Sequence, residues 1–197
     1  MTTKQSIYLS RILRHGPTPQ HPVKIRSDGF TDVPTLLSHR KLSGLTLEGL
    51  RALVNDDKKG RFSLREEDGG WVIRANQGHS INVEDLELSP ILDSGDIPVV
   101  IHGSQASKWH LIRETGLSRM NRTHIHFATG MPGESGVISG MRTHCSLIIY
   151  VDAAKAMKDG IEFFKSSNGV ILTSGVGGTL DSKYFQKVIM NGKNVDL

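Results

Sequence analysis

Cysteine, aromatic residues and long apolar runs are scarce in this sequence of 197 residues, and each scarcity limits what the protein can be. The single cysteine, Cys145, rules out a disulfide framework within the chain and favours a reducing compartment. No apolar stretch approaches the length of a membrane span, and the first residues lack the apolar run of a signal peptide. We therefore expect a soluble intracellular protein, cytoplasmic or nuclear, that makes no contact with a membrane.

Acidic residues are scarce in the first third of the chain, although the net charge of the whole is only +4. Residues 1–65 hold 12 Lys and Arg against 5 Asp and Glu, a balance of +7. Residues 66–97 hold 1 against 8 (−7), and residues 98–197 hold 11 against 7 (+4). A basic first third suggests contact with phosphates, such as those of a nucleic acid, although a solvated lysine-rich surface has the same composition.

The first part of the chain has the element order of a winged helix. Residues 6–15 have apolar side chains at helical spacing, and a glycine and a proline then end the helix. Asp32 and Thr46 are candidate caps for two further helices. Strands at 62–64 and 71–74, joined through Asp-Gly-Gly, predict a hairpin, and Gly78 beyond it offers a turn that would present Gln77 and His79.

The second part of the chain reads as mostly β. An acidic stretch over residues 82–97 is the best linker candidate. After it we predict a buried strand ending at residues 102–104, a helix over 106–114, a strand over 146–152, and two strands flanking a turn at 166–169. The whole chain is therefore predicted to be α+β.

Residues 122–127 (RTHIHF) alternate between polar and bulky side chains. On a strand this pattern puts Arg122, His124 and His126 on one face, as in the wall of a binding pocket. A half-exposed strand with a polar outer face would give the same pattern. Several Arg and His with few acids beside them suit the binding of a dianionic phosphate.

Other common chemistries have little support in the sequence. It has nine histidines but no CxxC or HExxH spacing, so we expect no metal site. The glycine-rich segment at residues 130–142 has neither Walker A nor dinucleotide-fold spacing, and no Gly-x-Ser-x-Gly occurs. Arg14-His15-Gly16 is also found near the start of histidine phosphatases, where it follows a buried strand and the histidine is the nucleophile.

Eight motifs, taken together and in order, resemble one enzyme family across about residues 9–175. They are LSRILRHG, DGFTDVPTLL, DDKKGRFSL, IRANQGHSI, VVIHGS, GLSRMNRTHIHF, GVISGMR and NGVILTSG. The chain is similar to the NAD-dependent tRNA 2′-phosphotransferases. Any one of these motifs would be weak evidence, but their joint occurrence is highly specific.

The resemblance implies two lobes and a defined reaction. Residues 1–90 would form a winged-helix lobe that holds RNA, residues 91–97 a linker, and residues 98–197 a lobe akin to ADP-ribosyltransferases that holds NAD⁺. The implied reaction transfers the 2′-phosphate at the splice junction of ligated tRNA to NAD⁺, through a 2′-phospho-ADP-ribosylated RNA. The products would be RNA with a 2′-hydroxyl, nicotinamide and ADP-ribose 1″,2″-cyclic phosphate. We expect a monomer.

The resemblance also implies the site residues. The family's essential Arg-His-Arg-Arg set corresponds to Arg14, His15, Arg61 and Arg122. For NAD⁺ binding, the family's His-Gly-Thr corresponds to His102, Gly103 and Ser104, where serine replaces threonine, and two further positions correspond to His126 and Val170. His124 has no implied role and is interpreted as structural.

Two alternatives stay open from the sequence. In one, the chain is a binding module whose winged helix contacts nucleic acid beside an inactive NAD fold. In the other, it is a histidine phosphatase with His15 as nucleophile.

Overall fold

The computed structural model describes residues 3–17, 23–134, 137, 140–141 and 144–196, and the predicted α+β class is confirmed. The chain divides into two compact units, Met1–Glu87 and Leu88–Leu197. Each unit has its own hydrophobic core. Within the described ranges, no helix combines the length and the apolar character needed to cross a membrane.

The helices of the first unit begin where the sequence places their caps. The Asp32 side chain accepts a hydrogen bond from the Thr35 N–H at 2.8 Å, and Pro34 occupies the first turn. Thr46 caps the next helix by accepting from the Gly49 N–H at 3.1 Å. The helices are α1 (Thr3–His15), α2 (Val33–Leu37) and α3 (Leu47–Asn55), with a 3-10 turn at Arg40–Leu42.

A three-stranded antiparallel sheet completes the first unit. Its strands are β1 (Thr31–Asp32), β2 (Phe62–Glu67) and β3 (Gly70–Ala75), in the order β1-β3-β2. The predicted hairpin is confirmed, with strands longer than the sequence indicated. The apolar faces of the three helices and of this sheet form one core, which includes the fully buried Leu9, Leu13, Leu36, Leu42, Leu50, Ile73 and Ala75.

The second unit is built on two four-stranded antiparallel sheets and a two-stranded ribbon. Their orders are β4-β9-β10-β7, β13-β12-β8-β5 and β11-β6. The strands are β4 (Leu88–Ile91), β5 (Ile101–Ser104), β6 (Leu117–Ser118), β7 (Ile125–Phe127), β8 (Leu147–Val151), β9 (Phe163–Ser166), β10 (Ile171–Thr173), β11 (Thr179–Leu180), β12 (Phe185–Met190) and β13 (Lys193–Val195). A single bridge between Ile101 and Ala128 joins the edge strands β5 and β7, and so the two larger sheets meet.

Two helices pack on these sheets, and one of them is the helix predicted over residues 106–114, although its first three residues form a 3-10 turn. They are α4 (Trp109–Thr115), which Gly116 ends at φ +79°, and α5 (Ala153–Lys158). Their apolar faces join a core that includes Phe127, Leu147 and Phe163. The predicted buried strand over 146–152 is β8, and the two strands around the 166–169 turn are β9 and β10.

The fold differs from the sequence-based expectations at residues 122–127 and in the acidic stretch. The strand expected over residues 122–127 is right only for Ile125–Phe127, and all three of these residues are buried, so the alternation of exposed and buried faces is absent. The acidic stretch contains β4, which pairs with β9, and a 3-10 turn at Ser94–Asp96, and the boundary between the units falls at Glu87 and Leu88. Parts of the glycine-rich 130–142 segment lie outside the described residues.

Candidate functional site

Arg14 and His15 occupy the last turn of α1. The helix ends where the Gly16 N–H donates to the Ile12 carbonyl at 3.0 Å, and Gly16 itself adopts φ +77°. A Cβ on Gly16 would lie 2.9 Å from Cγ2 of Ile81, so the chain passes close to that side chain. The Arg-His-Gly tripeptide therefore ends a helix, whereas in histidine phosphatases it follows a strand.

The segment of residues 76–81, directly after β3, holds both side chains. The Ser80 N–H donates to the Arg14 carbonyl at 2.9 Å, and the Ser80 hydroxyl is 2.9 Å from Nδ1 of His15. Arg14 lies against Gly78, where a Cβ would come within 3.3 Å of its Nε. The expectation that this segment presents Gln77 and His79 is wrong, because both are buried.

Arg61 is attached to the same segment and is also held by a carboxylate. Its carbonyl accepts from the Asn76 N–H at 2.9 Å. Asp57, with a side chain only 4% exposed, accepts from the Arg61 backbone N–H at 2.6 Å and from its Nε at 3.0 Å. This pairing uses the Nε edge of the guanidinium. Within the described part of the first unit, neither Nη group of Arg61 has a hydrogen-bond partner.

Arg61 also lines a cleft of about 510 Å³ in the first unit. Two lining residues, Asp56 and Asp57, are acidic, and the others besides Arg61 are uncharged. The remaining lining residues are Gln5, Ser6, Gly44, Leu45, Thr46, Gly49, Ala52 and Leu53.

In the second unit, the bridge between β5 and β7 brings His102 next to His126. Nδ1 of His102 lies 3.0 Å from the carbonyl of His126, and because a carbonyl can only accept, Nδ1 must carry the proton. Burial lowers the pKa of His102, and the charge of Arg122 lowers it further. His102 is therefore neutral at physiological pH, with Nε2 as a hydrogen-bond acceptor.

The other residues implied for NAD⁺ binding lie in β5 and directly before β10, the strand that pairs with β7. Gly103 follows His102 in β5, and a Cβ there would collide with the Met141 side chain and lie 2.6 Å from Sγ of Cys145. Ser104, half-buried, ends the strand. His126 and Val170 are both buried, at 8% and 0% exposure.

Arg122 is exposed and lies in the bend before β7. Its positive charge contributes to the lowered pKa of His102. His124 is half-buried, with its ring edge-on to Phe164, and its pKa is lowered by burial and then by the charge of Arg119. These contacts agree with a structural role for His124.

Sequence reasoning did not identify the groups that hold these side chains. They are Asp57, Asn76, Ser80 and Arg119. Only Asp57 carried a usable signal, because an Asp in a turn commonly accepts hydrogen bonds from the backbone N–H groups that follow it. Within the described part of the chain, no three His, Cys, Asp or Glu side chains are grouped so as to hold a metal ion.

Comparison with known proteins matches residues 2–175 to the RNA 2′-phosphotransferase, Tpt1 / KptA family. The chain belongs to this family. The resemblance inferred from the eight motifs is confirmed.

Individual relatives match over nearly the whole chain. The tRNA 2′-phosphotransferase 1 of Danio rerio is 48% identical over 91% of this chain and 81% of its own length. The tRNA 2′-phosphotransferase 1 of Homo sapiens is 43% identical over 92% of this chain and 73% of its own. A Schizosaccharomyces pombe relative is 47% identical over 91% of this chain but only 49% of its own length, so the chain spans about half of that protein.

Proposed function

We propose that this protein removes the 2′-phosphate from RNA, in particular from the splice junction of ligated tRNA, by transferring it to NAD⁺. The observation that carries the proposal is the attachment of Arg14, His15 and Arg61 to a single six-residue segment. Two arginines and a histidine that all contact one segment, in a unit with excess positive charge, suit a dianionic phosphate. Family membership and the names of the relatives also support a 2′-phosphotransferase activity.

We assign the RNA to a winged-helix lobe, the unit Met1–Glu87, and NAD⁺ to an ADP-ribosyltransferase-like lobe, the unit Leu88–Leu197. Three helices followed by a hairpin support the first assignment. Two antiparallel sheets joined at the His102 and His126 strands support the second.

The reaction proceeds in two displacements. The RNA 2′-phosphate first attacks C1″ of the nicotinamide ribose, and nicotinamide leaves. The ribose 2″-hydroxyl of the phospho-ADP-ribosylated RNA then attacks phosphorus, which frees the RNA 2′-hydroxyl and gives ADP-ribose 1″,2″-cyclic phosphate.

Arg14, His15, Arg61 and Arg122 serve these steps in our proposal. Guanidinium groups bind phosphate oxygens in pairs, and they stabilise the charge that develops when phosphorus is attacked. Because Arg61 is held at its Nε edge, it keeps its Nη groups for this purpose. His15 donates a hydrogen bond to the phosphate or carries a proton.

His102, Gly103, Ser104, His126 and Val170 are proposed to hold NAD⁺, a co-substrate that supplies the electrophilic ribose carbon. The fixed tautomer of His102 fits this role, because neutral Nε2 accepts a hydrogen bond from a ribose hydroxyl. The Ser104 hydroxyl keeps the donor of the family's threonine. Val170 cannot act as a base, and none is needed for a nucleophile that is already anionic.

Incubation of the protein with a 2′-phosphorylated oligoribonucleotide and NAD⁺ tests the proposal. We expect nicotinamide, cyclic-phosphate ADP-ribose and RNA with a 2′-hydroxyl in equal amounts, and no reaction when NAD⁺ or the 2′-phosphate is omitted. Release of inorganic phosphate without NAD⁺ would instead indicate a histidine phosphatase. RNA binding without nicotinamide release would indicate a binding module.

A further inference from the structure

The turn that carries Arg122 has an unusual backbone. It follows β6, and the Arg122 N–H donates to the Arg119 carbonyl at 3.1 Å, which closes a four-residue turn. Its second residue, Met120, adopts φ +55°, a conformation that side chains other than those of Asn and Asp rarely adopt. Such a residue persists only where its surroundings hold it in place.

Arg119 provides a second closure of the same turn. Its Nη1 donates to the carbonyl of Arg122, so the two residues are joined in both directions. The Ser118 hydroxyl adds a bond from the Met120 N–H at 3.0 Å. The guanidinium of Arg119 is thereby committed to the backbone of the turn.

The Arg119 side chain packs against Gly178. The Arg119 N–H donates to the Gly178 carbonyl at 2.9 Å, beside the pairing of β6 with β11. A Cβ on Gly178 would lie 2.7 Å from Nε of Arg119 and 3.3 Å from its Cδ and Cγ. Gly178 also has φ +88°, which glycine adopts without strain. A side chain at this position would push Arg119 away from the turn.

We propose that Arg119 is a positioning residue for Arg122. Lying on Gly178 and bound to the Arg122 carbonyl, it fixes the backbone from which the Arg122 side chain extends. This inference rests on the proposed function for its effect on turnover, since Arg122 is there assigned to phosphate. The inference that Arg119 holds the backbone of Arg122 does not depend on that function.

The two guanidiniums have different electrostatic partners, and this gives a readout independent of activity. The charge of Arg119 contributes to the lowered pKa of His124, and that of Arg122 to the lowered pKa of His102. A variant that releases the turn should therefore raise the pKa of His102 even when Arg122 is unchanged.

The experiment compares Arg119→Ala, Gly178→Ala, their double variant and Arg119→Lys, with Arg113→Ala as control. Arg113 is an exposed arginine on α4 of the same unit, so its removal costs the same charge. We expect Arg119→Ala to lower kcat about 10-fold or more, with little change in KM for NAD⁺, because the fault is one of orientation. Arg119→Lys should recover part of kcat, since its ammonium can still donate to the Arg122 carbonyl.

Gly178→Ala should lower kcat similarly, and the double variant should be no worse than either single one, because both remove the same support. In parallel, NMR titration should show a raised pKa of His102 in Arg119→Ala and Arg122→Ala but not in Arg113→Ala. A His102 pKa in Arg119→Ala equal to that of the unmodified protein overturns the proposal, whether or not RNA is turned over. Additive losses in the double variant also overturn it.

Discussion

Replacing Asp57 by asparagine tests how firmly Arg61 is held. The carboxylate accepts from the Arg61 backbone N–H at 2.6 Å, from its Nε at 3.0 Å and from the Lys59 N–H at 3.3 Å. The Asp57 side chain is 4% exposed, so water cannot replace these bonds. Asparagine has the same size but only one accepting oxygen, and its amide group would face an N–H.

The expected cost follows from these bonds. Hydrogen bonds to a charged group contribute about 1.5–3 kcal/mol and neutral ones about 0.5–1.5 kcal/mol. Because Arg61 is 32% exposed, solvent weakens its share of the ion pair. We therefore expect Asp57→Asn to lower the free energy of unfolding of the first unit by about 2 kcal/mol, a Tm decrease on the order of 10 °C for a unit of this size.

Urea denaturation gives the measurement, and amide hydrogen exchange in α3 and the β2–β3 hairpin assigns the loss to the first unit. Asp56→Asn is the matched control, since Asp56 is the exposed neighbour and carries the same charge. If Arg61 acts as proposed, kcat of Asp57→Asn also falls about 10-fold or more at a temperature where the variant is folded. A stability within about 0.5 kcal/mol of that of Asp56→Asn, the usual range for surface substitutions, would refute the reasoning.

Two further predictions concern the charged groups of each unit. Arg14→Lys should fold normally, as thermal melting would show, yet lose most turnover, because the charge remains while the paired donors are lost; near-normal kcat would remove Arg14 from the site. The second concerns His102 and His124, whose pKa values are lower in the folded state than the unfolded value of about 6.5. As pH falls below about 6.5 the unfolded chain takes up protons first, so the second unit should lose up to about 1.4 kcal/mol per pH unit for each histidine. Urea denaturation between pH 7.5 and 5 should show this slope, reduced in His102→Gln, and a stability that stays level or rises towards pH 5 would contradict it.

Elements with local signals were predictable from the sequence. The end of α1 at Gly16, the Thr46 cap and the β2–β3 hairpin each depend on residues close together in the chain. Propensity and capping act over such short distances, and the structure agrees with them to within a few residues.

Elements that depend on distant pairing were not predictable. Leu88–Ile91 is a strand because it pairs with Phe163–Ser166, far along the chain, and neither its acidic surroundings nor Pro90 indicate a strand. Pro90 is tolerated because β4 is an edge strand. Likewise, the alternation at residues 122–127 favours a longer strand than forms, since only Ile125–Phe127 has a partner in β10.

The candidate site also has features that the sequence predicts and features that it does not. Motifs supplied the residue types, whereas the groups that orient them come from folding: Gly78 for Arg14, Ser80 for His15, Asp57 for Arg61 and Arg119 for Arg122. Three of these supports are nonionic or themselves cationic, and only Asp57 neutralises the group it holds. Side chains held in this way lose less conformational entropy when they bind an anionic substrate than unsupported side chains would. Removing a support should then reduce kcat more than it reduces substrate affinity, and the Arg119 and Asp57 variants separate these two effects.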